Sequence, residues 1–134
     1  MIKKFKKRFI GLACSLVILG GAVTSNSYAA EYIDYSSSSF SVGVFLKGGT
    51  KYSVKNPYFI TTQRPVTSGH PCRVQYQLRN DGGTGTPLAS KTLANVQTGY
   101  KVSLSYSGTT KAYLKNYRSK TYPQTANGYF YTGY

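Results

Sequence analysis

The chain is poor in acid. Of its 134 residues, three are Asp or Glu (Glu31, Asp34, Asp81) against seventeen Lys and Arg, with one His, one Met and no Trp. Glycoside cleavage and most carboxylate-based hydrolysis need two acids held ~5–10 Å apart. Glu31 and Asp34 fall in the serine-rich stretch "EYIDYSSSS", and Asp81 falls in "RNDGG", where a turn explains it. A carboxylate-pair hydrolase is therefore excluded. His70 and Cys72 are two candidate ligands, too few to close a tetrahedral zinc site within one chain, and we expect no metal and no cofactor. "NDGGTGTP" (80–87) lacks the lysine-serine/threonine ending of a phosphate loop and reads as a β-turn. Beyond the first thirty residues Ala, Leu, Glu and Met are scarce while Gly, Thr, Ser and Tyr abound, which leaves little from which to build a helix.

What is present begins with an export signal. A basic run (Lys3, Lys4, Lys6, Lys7, Arg8), an apolar run from Phe9 to Val23 and a small-residue end at Ser27-Tyr28-Ala29 follow the secretory order, with cleavage expected after Ala29 and Ala30 the next candidate. The apolar run is roughly fifteen residues, short of the about twenty a bilayer span needs. Cys14 sits in "GLAC", but the apolar run continues past it, so lipidation is not expected. The sequence thus divides into a signal peptide (1–29), a loose N-terminal arm (30–39) and one domain (40–134), in a protein that is secreted, extracellular or wall-associated. Twelve Lys and Arg then face three acids, a net charge near +9.

From Phe40 the pattern is that of strands. "FSVGVFLKGGTKYSVKN" alternates on either side of Gly48-Gly49 and predicts a hairpin. "YFITT" (58–62) reads as a third strand. Cys72, Val74, Tyr76 and Leu78 alternate with Arg73, Gln75, Gln77 and Arg79, and Tyr100, Val102, Leu104 and Tyr106 repeat the pattern. "LASKTLANV" fits neither period well, whereas "TKAYLKNY" and "NGYFYTGY" supply two more strands. Seven to eight short strands with Gly, Pro and polar turns predict an all-β fold, a small antiparallel β-sandwich or barrel.

His70 and Cys72 are candidates for chemistry only as a pair. Pro71 separates them and Cys72 opens an apolar face, so Cys72 reads as a small core residue and His70 as a turn residue. A disulfide between two chains is the alternative, because an odd cysteine in a secreted protein invites one. A monomer is expected over such a dimer. The aromatic pattern says more. In Lys111 to Tyr122, the tyrosines Tyr113, Tyr117 and Tyr122 interleave with Lys111, Lys115, Arg118 and Lys120. If Ala112 and Leu114 face the core, Lys111, Tyr113, Lys115 and Tyr117 share the outer face as a basic, aromatic strip. The closing "GYFYTGY" reads as a final core strand, with an exposed adhesive edge as the alternative.

In layout (short signal, no helix after it, basic Tyr/Gly/Thr-rich strands and an aromatic end) the chain resembles small secreted β-proteins of Gram-positive bacteria, some of them bacteriocin-like. The expectation is a cationic, non-enzymatic protein that binds an anionic envelope or matrix polymer through that strip, or an anionic membrane surface, without specific nucleic-acid recognition. A bacteriocin-like antagonist of a competitor's envelope and a self-assembling matrix protein are the alternatives.

Overall fold

The computed structural model describes residues 29–118 and 120–134; the segment read as an export signal, Cys14 included, lies outside the described residues apart from Ala29. Nine strands follow in order: β1 (Tyr32–Phe40), β2 (Gly43–Phe45), β3 (Lys51–Lys55), β4 (Tyr58–Pro65), β5 (Arg73–Arg79), β6 (Ala89–Ala94), β7 (Gln97–Ser103), β8 (Ser107–Asn116) and β9 (Gln124–Tyr131). A single 3-10 turn, Leu46–Gly49, is the sole helical element among the described residues.

All strand pairs are antiparallel. Sheet A has the order β1-β9-β4-β7; sheet B has β8 between β5 and the β2/β3 line, with β6 beyond β5. Neither sheet closes on itself or on the other, so the fold is an open sandwich and not a barrel. With β2 and β3 taken as one interrupted strand, the chain pairs β5 with β6, β4 with β7, β3 with β8 and β1 with β9. It is one long hairpin, bent at residues 80–88 and rolled so that successive pairs alternate between sheets. That is the connectivity of a jelly roll.

Two expectations change here. The 30–39 segment is not a loose arm: Ile33 and Tyr35 are buried, and β1 runs in register with β9 from Tyr32↔Tyr131 to Ser37↔Ala126. Serines with little strand propensity of their own are held there by pairing with β9. Nor does Gly48-Gly49 close a hairpin. β2 and β3 never pair with each other; both lie along the same edge of β8, at 113–115 and 107–111. Lys47, Gly48 and Gly49 take positive φ (49°, 65° and 87°) and loop five residues out of the line before it resumes in the same direction.

The core forms where the inward faces meet. Phe59 and Phe130 come from sheet A and Tyr76, Leu78 and Leu114 from sheet B, all fully buried. Rings pack tilted against each other, with centres 4.8 Å apart for Phe59–Phe130 and 5.0 Å for Phe59–Tyr76. Full burial of such side chains contributes ~1.5–3 kcal/mol each, more than any surface pair, and fixes which residues point out. The closing strand divides accordingly: Phe130 lies in the core, while Tyr129 and Tyr131 sit on the outer side. Glu31 and Thr132 then bond each other's backbone, and Lys55 N donates to Thr132 O at 2.9 Å, tying the end of β9 to both β1 and β3.

Candidate functional site

On β8, Ala112 and Leu114 are fully buried in the core, so Lys111, Tyr113 and Lys115 project from the outer face of sheet B. The register builds rows across that face. Lys51, Lys111 and Arg79 form one, Phe45, Tyr113 and Gln77 the next, and Gly43, Lys115 and Gln75 the third. Tyr117, Arg118 and Lys120 continue past the end of β8 in an exposed loop. Asn116 shapes that loop: its Oδ1 accepts from Arg118 N at 2.9 Å and its Nδ2 donates to Ser41 O and Tyr122 O at 3.0 Å. This is an asparagine turn that fixes the course of the basic residues after it.

The members of the strip are not equivalent. Tyr113 is 7% exposed, packed at 4.5 Å against Phe45 and with the Arg79 guanidinium 5.5 Å from its ring centre. Residue 43 has to be glycine, since any Cβ there would run into the Tyr113 phenol. Tyr113 is thus a covered ring and offers no face to a ligand, contrary to its expected place in the contact surface. Tyr122 is half-buried, its ring edge-on to His70 at 5.0 Å. The cations remain outward: Lys111 Nζ sits 5.1 Å from the Phe45 ring centre and Lys115 Nζ 5.9 Å from that of Tyr117.

Arg79 is the buried exception, 2% exposed on the same outer face. The 80–88 loop folds back over it. Arg79 Nε and Nη2 donate to the two Asp81 oxygens at 2.7 and 2.9 Å, Nη1 donates to Gln77 Oε1, and Nη2 also donates to Gly85 O. Asp81 in turn accepts from Gly83 N at 2.9 Å and Gly85 N at 2.7 Å. The glycine-rich stretch is therefore a clamp on an arginine, not a simple turn. Arg79–Asp81 is the one salt bridge among the described residues, so the outer-face lysines have no carboxylate partner.

The Arg79 hydrogen bonds, then that from Gly83 N, hold the Asp81 carboxyl well below its ordinary 3.8. A folded value below the unfolded one stabilises the fold fully above the unfolded value and loses that contribution as pH falls through the folded value. Stability should accordingly decline on acidification below about pH 4. Asp81→Asn should be less stable at neutral pH and lose this part of the acid slope, as read by urea denaturation from pH 7 to 2.

His70 and Cys72 do not share an environment. His70 is exposed in a turn, its N donating to Thr67 O at 3.2 Å, whereas Cys72 is 7% exposed. Burial, only partly offset by Gln63 and Arg64, pushes the Cys72 thiol up to about 11. At pH 8 about one thiol in a thousand is then ionised. A disulfide between two chains needs this sulfur at the surface, and the structure places it inside. Ellman's reagent at pH 8 should leave Cys72 unmodified in the native protein and titrate one thiol once the chain is unfolded; rapid native labelling would contradict the buried placement.

The feature that strand-by-strand reading missed lies on the other sheet. Tyr32, Tyr131 and Tyr58 stand side by side on the outer face of β1, β9 and β4, with ring centres 4.5 Å and 4.9 Å apart. Tyr129 joins them at 5.2 Å from Tyr32 and 6.4 Å from Tyr58, and Lys101 Nζ lies 4.2 Å from the Tyr58 ring centre. The signal was available in principle: four tyrosines at outward positions of three strands. Their convergence depends on strand order, which the sequence does not display.

A groove of about 190 Å³ runs between β1 and β2, lined by Asp34, Tyr35, Val44, Phe45 and Lys47 among others. Asp34 is its one carboxylate, and among the described residues no three His, Cys, Asp or Glu side chains gather as a metal site. No protein-family model, curated protein or solved structure matches the chain.

Proposed function

We propose that the protein is a secreted, non-enzymatic binder of an anionic envelope or matrix polymer, and that the outer face of sheet B with the loop after β8 is its contact surface. The observation that carries this reading is the electrostatic isolation of that face. Lys51, Lys111, Lys115, Arg118 and Lys120 lie on or beside it, and its one acid is engaged by Arg79. A single-signed field over an extended flat surface attracts a flexible polyanion along its length, and the attraction weakens as salt shortens the Debye length. The edges support a monomer over a self-assembling fibre: β1 carries Asp34, β3 Lys51 and Lys55, β6 Lys91 and β7 Lys101, and charged edge residues oppose strand addition.

Co-sedimentation tests the proposal directly. The purified domain should pellet with isolated Gram-positive walls at low salt, and removal of the walls' anionic polymer should release it. Equal binding to stripped walls, or none to intact walls at low salt, would overturn the reading. Retention by anionic vesicles but not by walls would move the ligand to the membrane surface.

A further inference from the structure

We infer that Tyr32 and Tyr131 form an oxidative coupling site, at which a peroxide-driven one-electron oxidant of the haem-peroxidase type joins the two rings as dityrosine and so ties β1 to β9 covalently. The inference is independent of the polyanion reading, since it concerns the opposite face and a different chemistry.

Geometry selects the pair. Tyr131 stands opposite both Tyr32 and Tyr58 in the ladder, with ring centres 4.5 Å apart and tilted by 42° for Tyr32–Tyr131, and 4.9 Å apart for Tyr58–Tyr131. A biaryl holds its ring centres one bond and two ring radii apart, so at 4.5 Å the rings have to turn about their side-chain bonds but not to approach. Tyr129 meets Tyr32 edge to face, at 5.2 Å and 66°, which is a poorer start for a bond between two ring edges.

Access and charge decide where oxidation starts. Tyr32 is 63% exposed, so an oxidant in solution reaches it, whereas Tyr131, Tyr58 and Tyr129 are half-buried. Lys101 Nζ lies 4.2 Å from the Tyr58 ring centre, and a cation there opposes withdrawal of an electron from that ring. Tyr100 and Tyr117 are also exposed, but among the described residues neither packs against a second ring. They can couple only to another molecule, and like charge keeps molecules apart.

The chemistry balances with the peroxide as oxidant. Each phenol gives one electron to the oxidant and its hydroxyl proton to water, leaving two phenoxyl radicals. Their ortho carbons bond, and the two ring hydrogens displaced there pass to the oxygens as the rings regain aromaticity. The two electrons and two protons convert one hydrogen peroxide to two waters. Among the described residues no disulfide holds these strands, since Cys72 is free and buried, and their ends are tied by hydrogen bonds such as Glu31 N to Thr132 Oγ1 at 2.9 Å. Joining residue 32 to residue 131 closes a loop of about 100 residues, which takes conformational freedom from the unfolded chain as a disulfide does.

The test treats the purified protein, at low micromolar concentration, with a haem peroxidase and hydrogen peroxide. The expected product is a monomer on a denaturing gel that shows the blue fluorescence of dityrosine. Its digest should contain a Tyr32 peptide joined to a Tyr131 peptide, two hydrogens lighter than their sum, with fragmentation placing the link at those two residues. Tyr32→Phe and Tyr131→Phe, which keep a ring but remove the phenol, should each lower the monomer's fluorescence about tenfold, because coupling within one molecule runs at a millimolar effective concentration. Tyr100→Phe and Tyr117→Phe should leave it unchanged. The coupled monomer should also unfold at a higher urea concentration than the untreated protein. Fluorescence confined to cross-linked oligomers, a monomer link that maps to another pair, or a Tyr32→Phe variant as fluorescent as the parent would overturn the inference. Should Tyr131→Phe fail to fold, Tyr32→Phe and the mapped link decide, since Tyr32 is mostly exposed on an edge strand.

Discussion

Replacing Lys111, Lys115, Arg118 and Lys120 together by glutamine should lower affinity for a soluble polyanion such as polyphosphate about thirtyfold to several hundredfold at low salt. A basic side chain near a densely anionic surface contributes ~1 kcal/mol, and screening and side-chain freedom reduce this to about half at exposed positions, so four charges account for about 2–4 kcal/mol. The proper control removes the same charge elsewhere. Lys47, Arg64, Lys91 and Lys101 lie on the turn before β3 and on β4, β6 and β7, outside the cross-strand rows that make up the outer face of sheet B. Their replacement by glutamine lowers net charge equally, and should cost less than about fivefold if the polymer is held at one face. Equal losses in the two variants would mean that net charge alone, and no particular surface, governs binding. Both should be measured by titration at two salt concentrations, because the difference between them must shrink as salt rises.

The same division between faces shows what the sequence made legible. Period-two alternation was read correctly in β5 and β8, where Val74, Tyr76, Leu78, Ala112 and Leu114 are all fully buried, but not throughout: Val42 and Tyr100, read with the apolar faces of their segments, are exposed. Alternation cannot say which outward residues are subsequently covered. Gln77, Arg79 and Tyr113 carry the polar or outer pattern yet are 1%, 2% and 7% exposed, because a loop from between β5 and β6 lies on them. Nor does alternation choose a partner. The Gly48-Gly49 pair has the composition of a hairpin, but β8 was a longer template for both flanking strands, and the glycines serve to loop out a bulge. The expected strip along β8 was a within-strand pattern and therefore visible; the tyrosine row on sheet A spans β1, β9 and β4, whose adjacency arises only when residues 32 and 131 meet.

Gln63→Leu should destabilise the fold by about 2–4 kcal/mol, although the substitution adds an apolar side chain to an apolar interior. Gln63 is fully buried on β4, yet every hydrogen-bonding group of its amide is used across the sandwich. Nε2 donates to Leu93 O and Asn95 O, both at 2.8 Å, and Oε1 accepts from the Tyr76 hydroxyl at 2.8 Å. Since that phenol spends its one proton on Gln63, the 2.7 Å contact between Tyr76 and Thr61 must have the Thr61 hydroxyl as donor. The network joins sheet A to sheet B at the turn where the chain passes from β6 to β7, and Asn95 there holds a φ of 69°. Leucine would leave carbonyls at that turn without their donor and the phenol without its acceptor, and each such buried loss costs ~1–3 kcal/mol before relaxation. In urea the midpoint should fall with the slope unchanged, and a double-mutant cycle with Tyr76→Phe should show coupling of about 1 kcal/mol through the shared bond. A loss under about 1 kcal/mol, or no coupling, would mean that hydrophobic packing alone registers the two sheets, and that the polar stitch is incidental to the alignment on which both outer faces depend.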